Sequence, residues 1–241
     1  MGNLMKIEVV IHCYNYQRRL NWMLCSILQQ KGDLPNIEVS VSYLPNNGNP
    51  TTEKVLDFFE EKGLKIIRVP LEKGQESNRA IPRSIRTEKT DADWLLFADC
   101  DLVYDPLFFD DLKKKLEDDK YKNVEIVMGA DRHSLDIPFC IKYFEDDSRE
   151  YPCIIDNISK ITEEWPKMKS GGGGIAAGYF QLASVKVIRQ KNIIYSGTKG
   201  DFWRRTKSDR EFRCRMGGRM AIPVLGIYHL NHDRGGPDIQ R

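Results

Sequence analysis

The central segment of the chain reads Asp93-Trp94-Leu95-Leu96-Phe97-Ala98-Asp99-Cys100-Asp101-Leu102-Val103. Its apolar run is too short for a helix and rich in Trp, Leu and Phe, which predicts a buried strand. Two carboxylates, Asp99 and Asp101, follow with one residue between them. Side chains two apart on a strand point to the same side, so both are predicted to reach one cation at the carboxyl edge of the sheet, where open α/β sheets bind ligands. Asp is also a common turn residue, and the pair taken alone favours a strand followed by a turn.

Strand and helix patterns alternate ahead of this segment. Apolar, largely β-branched runs predict strands at 7–12, 37–43 and 65–69, and apolar residues at helical spacing predict helices between them. Strand followed by helix, four times over, is typical of an α/β protein with a parallel sheet and covering helices.

The second half of the chain is less regular. Asp105-Pro106 predicts the start of a helix, with Asp105 as its cap, and 123–129 and 220–228 predict further strands. Segment 131–170 mixes acids, prolines and lone aromatics and gives no assignment beyond loops and short strands.

Length and composition bound the class of protein. The chain has 241 residues, a net charge of +2, 41% hydrophobic and 30% charged residues. These values fit one α/β domain. The overall charge does not indicate a protein that binds nucleic acid or membranes. No apolar run approaches a membrane span, and no signal-peptide pattern precedes the first strand. The six cysteines contain no Cys-x-x-Cys pair, which argues against a zinc site and for reduced thiols in a cytosolic protein.

The last third of the chain contains a glycine-rich segment, Lys169-Ser170-Gly171-Gly172-Gly173-Gly174-Ile175-Ala176-Ala177-Gly178. Glycines allow close backbone approach, which suits a loop that cradles a phosphate or lies beneath a sugar. A flexible hairpin explains the same run, and the glycines alone favour that explanation.

Two C-terminal motifs carry further candidate groups. Ser208-Asp209-Arg210-Glu211-Phe212 predicts a helix start capped by Ser208 or Asp209, which is more often structural than catalytic. His229 and His232 lie three apart in a polar loop, where imidazoles can join carboxylates around a divalent metal. Basic residues dominate 203–219, either as a solvated helix face or as an anchor for a diphosphate or an anionic acceptor.

In this order the motifs resemble a GT-A glycosyltransferase of the large inverting family 2, with features of the galactosyltransferase-like branch. The segment 7–15 is similar to the family's first strand and nucleotide-binding loop, and 74–79 to the segment before the Asp-x-Asp strand. Asp99-Cys100-Asp101 resembles that motif, 208–212 resembles Glu-Asp-x-Asp-Leu, and His229-Leu230-Asn231-His232 resembles the C-terminal metal-binding segment. The similarity leaves out only about 131–165.

The resemblance implies one GT-A catalytic domain over 1–241, with a Rossmann-like, mostly parallel sheet and helices on both faces. Its nucleotide-binding half is 1–130, and 131–241 completes the acceptor side. The implied reaction moves a sugar, in the hexosyltransferase manner, from a nucleoside-diphosphate sugar (UDP favoured) to an acceptor hydroxyl with Mn²⁺ or Mg²⁺. Asp209 would be the general base and Glu211 would orient the acceptor. The donor would be bound by His12, Tyr14, Asn15, Arg79, Asp99, Gly173 and Gly174, and the metal by Asp99, Asp101, His229 and His232.

Two departures from the family pattern and two alternatives remain open. Leu44-Pro45-Asn46-Asn47 stands where the family usually has an Asp pair that holds the nucleotide, and Ser208 replaces a Glu. Because no membrane-spanning region follows, we expect single addition to an acceptor glycan or modified nucleic acid, including an anionic glycan or DNA. The alternatives are a sugar-phosphate nucleotidyltransferase, although 13–16 lacks a Gly-rich basic loop, and a non-enzymatic nucleotide- or nucleic-acid-binding module that uses 203–219.

Overall fold

A computed structural model describes residues 4–135, 140, 149–155, 179–195 and 207–230. Gly173, Gly174 and His232 lie outside the described residues. The strands are β1 Lys6–Cys13, β2 Asn36–Tyr43, β3 Ile66–Pro70, β4 Trp94–Asp99, β5 Leu102–Tyr104, β6 Val127–Gly129, β7 His133–Ser134, β8 Phe180–Ser184, β9 Arg219–Ala221 and β10 Ile227–His229. The helices are α1 Gln17–Leu28, α2 Thr52–Glu61, α3 Ala80–Lys89, α4 Phe108–Glu117, α5 Asp119–Lys122, α6 Val185–Gln190 and α7 Lys207–Met216.

The main sheet has the order β3-β2-β1-β4-β8-β6-β9. Its first four strands are parallel, as the alternating pattern predicts, and β8 runs antiparallel to both β4 and β6. The strand order reverses between β1 and β4, which are neighbours with His12 opposite Asp99. A reversal of this kind opens a crevice at the carboxyl ends of the two strands, where α/β proteins bind ligands.

Helices cover both faces of this sheet because its strands alternate their apolar side chains. On β4, Leu96 and Ala98 face the core formed with α1, α2 and α4, whereas Leu95 and Phe97 face the core formed with α3, α6 and α7. Each face therefore buries every second residue of the strand. The predicted α/β class, with a mostly parallel sheet between two layers of helices, is confirmed.

A second, smaller sheet has the order β5-β10-β7. Strand β10 pairs antiparallel with β5 and parallel with β7, and the Leu230 N–H donates a 2.8 Å hydrogen bond to the Asp101 carbonyl oxygen. This sheet brings a late segment of the chain to the turn that follows β4.

Several predicted boundaries were wrong. Helix α4 begins at Phe108, because Asp105 Oδ1 accepts the N–H of Leu107 in a turn and does not cap the helix. Helix α7 begins at Lys207, so Asp209 lies in its first turn and is not its cap. The predicted strand 220–228 is two short strands separated by a segment that contains Pro223, which has no N–H to donate to a ladder. The strand predicted at 123–129 is confined to Val127–Gly129.

The described helices include none that is both long and apolar enough to cross a bilayer. All six cysteines are free, and Cys13, Cys25, Cys100 and Cys140 are buried.

Candidate active site

A cleft of about 250 Å³ opens at the carboxyl ends of β1 and β4, where the strand order reverses. Residues from three segments of the chain line it: the end of β1 and its loop, the segment before α3, and the turn after β4. They are His12, Tyr14, Tyr16, Glu76, Ser77, Arg79, Asp99, Cys100 and Asp101. Five of the six predicted donor- or metal-binding residues in the N-terminal half therefore share one cleft, all except Asn15.

His12 connects the end of β1 to β2 and to the segment before α3. Its Nδ1 lies 2.9 Å from Ser42 Oγ on β2, and its Nε2 lies 2.7 Å from the carbonyl oxygen of Glu76. A carbonyl oxygen only accepts, so Nε2 carries a proton that it donates to Glu76. The ring thereby fixes the segment that leads to Arg79.

Asn15 is turned toward the loop that follows β2. Its backbone is left-handed, with φ +59°, a conformation that Asn tolerates better than most residues. Its Oδ1 accepts a 2.6 Å hydrogen bond from Asn47 Nδ2, and Gln17 Nε2 donates 3.0 Å to the Asn47 carbonyl oxygen. The Asn-rich loop that departs from the family pattern is thus joined to the loop after β1.

Asp99 is the last residue of β4, and its carboxylate is paired with arginine. Arg79 Nη1 donates to Asp99 Oδ1 at 2.7 Å, and Arg83 Nη2 lies 3.7 Å from the same oxygen. The negative charge of Asp99 raises the pKa of the Arg79 guanidinium above its ordinary value. Cys100 and Asp101 form a turn, so the strand alternation that was expected to aim both aspartates at one cation stops at Asp99.

Asp101 instead faces His229. Its Oδ2 lies 3.2 Å from His229 Nε2, and the two side chains are 12% and 13% exposed. The pairing of β10 with β5 and the hydrogen bond from Leu230 N–H to the Asp101 carbonyl hold this contact in place. Among the residues that the structure describes, no group of three His, Cys, Asp or Glu side chains forms a metal cluster, and His232 lies outside them.

Asp209 and Asp99 lie on opposite sides of the buried guanidinium of Arg83. Asp209 Oδ1 accepts hydrogen bonds from Arg83 Nη1 at 3.0 Å and lies 2.6 Å from the Tyr195 hydroxyl. Gln181 Nε2 donates to the Asp209 backbone carbonyl at 3.2 Å. Within the described ranges every hydrogen bond of this carboxylate falls on Oδ1, and the side chain is 15% exposed. None of the described residues hydrogen-bonds the second oxygen, Oδ2.

Arg83, Tyr195 and Gln181 were missed in the sequence. All three are buried, with relative exposures of 1%, 0% and 0%. Burial raises the pKa of the Tyr195 hydroxyl well above its ordinary value. Arg83 follows Arg79 by four residues, the spacing that places two side chains on one helical face, and this signal was available.

Glu211, the other predicted site residue of α7, is two residues from Asp209, a spacing that does not share a helical face. Its role as an acceptor-orienting residue stays a prediction. Of the basic residues, Arg210, Arg215 and Arg219 are exposed.

The sequence profile of glycosyl transferase family 2 matches residues 8–222, which is most of the chain. The chain belongs to glycosyl transferase family 2. The predicted family and its glycosyltransferase class are thereby confirmed, and membership favours glycosyl transfer over the two alternatives. None of the curated proteins compared with this family 2 chain matches it significantly.

Solved structures share the fold of this family 2 chain at low sequence identity. Staphylococcus aureus TarS is 14% identical with a TM-score of 0.60, over 93% of this chain and 36% of TarS. TarS 1–349 in complex with UDP-GlcNAc is 13% identical with a TM-score of 0.59, over 97% of this chain and 60% of that one. The mannosyltransferase PcManGT from Pyrobaculum calidifontis, in complex with GDP-Man and Mn²⁺, is 13% identical with a TM-score of 0.55, over 95% and 58%. This chain therefore spans about a third of the TarS chain and less than two thirds of the other two.

Proposed function

We propose that this family 2 chain is a single catalytic domain that transfers a sugar from a nucleoside-diphosphate sugar to an acceptor hydroxyl, with inversion at the anomeric carbon and dependence on Mn²⁺ or Mg²⁺. One observation carries the proposal. A single buried guanidinium, that of Arg83, separates the cleft-lining Asp99 from Asp209. A donor held in the cleft would thus lie next to a carboxylate able to accept a proton.

The donor would lie between the end of β1 and the turn after β4. Arg79 supplies a cation that suits a diphosphate, and Tyr14 and Tyr16 supply rings at the mouth of the cleft. Complexes of fold relatives contain UDP-GlcNAc or GDP-Man. We favour a UDP-sugar, with the Asn15–Asn47 pair beside the nucleoside, and with Gly173 and Gly174 near the sugar.

The residues present fit a divalent cation bound partly by the substrate. Asp101 supplies a carboxylate oxygen and His229 an imidazole nitrogen, a donor set that suits Mn²⁺, and such cations commonly complete their coordination with phosphate oxygens and water. Asp99 and His232 are further candidate ligands. When bound, the cation would stabilise negative charge on the leaving diphosphate.

Asp209 would act as the general base. As the acceptor oxygen attacks the anomeric carbon, its proton passes to Asp209 Oδ2, and the bond from that carbon to the diphosphate oxygen breaks. A single displacement of this kind inverts the anomeric configuration. The acceptor would approach from the side of α7, where exposed Arg210 and Arg215 suit an anionic glycan or DNA, and Glu211 would orient it.

A panel of nucleotide sugars with Mn²⁺ and simple glycan acceptors tests the function, scored by release of nucleoside diphosphate and by NMR of the product anomer. Asp209→Asn should bind the donor with unchanged affinity and lose at least about 100-fold in turnover. Asp119→Asn, an exposed aspartate of α5, is the matched control and should keep full turnover. Full turnover in Asp209→Asn, or a product with retained configuration, would remove Asp209 from the role of base.

A further inference from the structure

Arg83 is the most deeply buried charged group near the cleft, and only its four-residue spacing from Arg79 marks it in the sequence. We propose that Arg83 is a positioning residue that fixes Asp209 in the orientation needed to accept the acceptor's proton. Tyr195 and Gln181 stabilise the same orientation. This inference rests on the proposed function of Asp209.

The distances assign Arg83 to Asp209 and not to Asp99. Its Nη1 lies 3.0 Å from Asp209 Oδ1, within hydrogen-bond range, whereas its Nη2 lies 3.7 Å from Asp99 Oδ1. That oxygen of Asp99 already accepts from Arg79 at 2.7 Å. The two arginines lie one helical turn apart on the same face. Arg79 therefore pairs with Asp99 on the donor side, and Arg83 pairs with Asp209, the predicted base.

An aromatic cluster packs against the guanidinium of Arg83. Arg83 Cζ lies 5.7 Å from the ring centroid of Phe97 and 5.1 Å from that of Tyr195. Tyr195 stacks on Phe212 at 4.5 Å, and Phe212 follows Asp209 by three residues on α7. Because Phe97 belongs to β4, the cluster ties the helix that bears Asp209 directly to the strand that ends in Asp99.

Three polar groups fix Asp209 itself. The Tyr195 hydroxyl accepts from Arg83 Nη1 at 2.7 Å and lies 2.6 Å from both Asp209 Oδ1 and Gln181 Oε1. Gln181 Nε2 holds the Asp209 backbone carbonyl. Since these contacts occupy Oδ1 and the main chain, they leave Oδ2 to face the acceptor in a defined direction. A general base acts only when its oxygen lies within hydrogen-bond distance of the proton it removes, so such fixation contributes directly to turnover.

Charge balance supports the same role. Arg79 and Arg83 stand against Asp99 and Asp209, and the Arg83 side chain, 1% exposed, lies 3.0 Å from Asp209 Oδ1 and 3.7 Å from Asp99 Oδ1. A buried guanidinium without a carboxylate partner is costly, so the charge of Arg83 favours the position in which Asp209 pairs with it.

The test is a double-mutant cycle with Arg83→Met and Asp209→Asn, measured under single turnover, together with the affinity for the donor nucleotide by calorimetry. Arg83→Met alone should lower turnover about 100-fold, because a misplaced base can cost that much, while the donor affinity changes less than about threefold. In the Asp209→Asn background, Arg83→Met should add no further loss. Arg83→Lys, which keeps the charge but loses the fork, should recover part of the turnover.

Arg79→Met is the contrasting variant, and it should weaken donor binding. If Arg83→Met does not fold, Tyr195→Phe takes its place in the cycle, because it removes one hydroxyl and keeps the ring packing. Equal losses from Arg83→Met in both backgrounds, or full turnover in that variant, would overturn the positioning role even though Asp209→Asn is inactive. Full turnover in Asp209→Asn alone would instead overturn the proposed base, so the two failures are distinguishable.

Discussion

The Asp101 carboxylate and the His229 imidazole lie 3.2 Å apart although they belong to different halves of the sequence. The small sheet creates this contact, because β10 places His229 opposite Leu102, the first residue of β5 and the residue after Asp101. The two residues are distant in the chain, and the tertiary fold brings them together. The proposed cation site depends on this contact.

This pair predicts that EDTA abolishes sugar transfer and that Mn²⁺ restores it. His229→Gln should weaken Mn²⁺ binding in the presence of UDP by about 10- to 100-fold, the usual effect of disturbing a metal site. Electron paramagnetic resonance of free Mn²⁺ measures this without reference to turnover. His133→Gln on β7, which stacks against Tyr228, is the control and should bind as the parent does. Metal-independent transfer would dismiss the assignment of Asp101 and His229.

Two buried tyrosines should respond differently to the loss of a hydroxyl. Tyr195 OH has three hydrogen-bond neighbours, whereas Tyr104 OH is buried and, in the part of the chain that the structure describes, has no hydrogen-bond partner. Tyr195→Phe should lower the free energy of unfolding by about 1–2 kcal/mol, since it leaves polar partners unsatisfied, and Tyr104→Phe should be neutral or stabilising. Urea denaturation of both variants measures the difference. Equal losses would contradict the two environments described here.

Glu8 and Arg86 form a buried ion pair beneath α3. Arg86 Nε lies 2.6 Å from Glu8 Oε1 and Nη2 lies 3.1 Å from Oε2, and Glu8 is fully buried. Arg86→Met should destabilise the protein by about 3–5 kcal/mol, because it leaves the buried carboxylate of Glu8 without its partner. The double variant Glu8→Met, Arg86→Met should recover most of that loss. Denaturation curves test both, and a double variant no more stable than the single one would show that the loss has another cause.

Asp110 should make stability depend on acid pH. The hydrogen bond from Lys114 Nζ and the backbone N–H of Asp33 lower the pKa of the Asp110 carboxyl below its ordinary value. A folded-state pKa below that of the unfolded chain gives stability that is present above about pH 4 and lost as pH falls through the folded value. Relative to Asp110→Asn, the parent should therefore lose stability as pH falls from about 5 to 2. Lys114→Met should remove most of this difference in thermal melts taken across that range, and an undiminished difference would exclude Lys114 as its cause.

The sequence was most informative where a structure depends on local periodicity. Apolar, largely β-branched runs predicted the four parallel strands, and apolar residues at helical spacing predicted α1 to α3. Gly63, with φ +95°, ends helix α2 as its position suggests. The predicted boundaries were wrong where a short turn replaces the end of a helix or strand. Asp105 was expected to cap α4, but its carboxylate accepts the N–H of Leu107 in a turn. Strand β4 ends at Asp99, two residues before Asp101, so Asp101 does not share its alternation.

The site was predictable only as a set of residue types. Asp99, Asp101, Asp209 and His229 were identified from spacing and resemblance, but their partners depend on tertiary packing. Tyr195 stands between Ile193-Ile194 and a polar stretch, and Gln181 lies on an apolar strand, so neither has a local pattern that marks it. Arg83 is marked in the sequence only by its four-residue spacing from Arg79, and its burial in the structure reveals its importance.

The dependence of the Asp101 turn on β10 also sets an order of events during synthesis. Strands β1 to β4 lie within residues 6–99 and can pair while later residues are still being added, whereas β5 finds its neighbour only after residues 227–229 are translated. A nascent chain would therefore form its parallel strands before the contact between Asp101 and His229 is made.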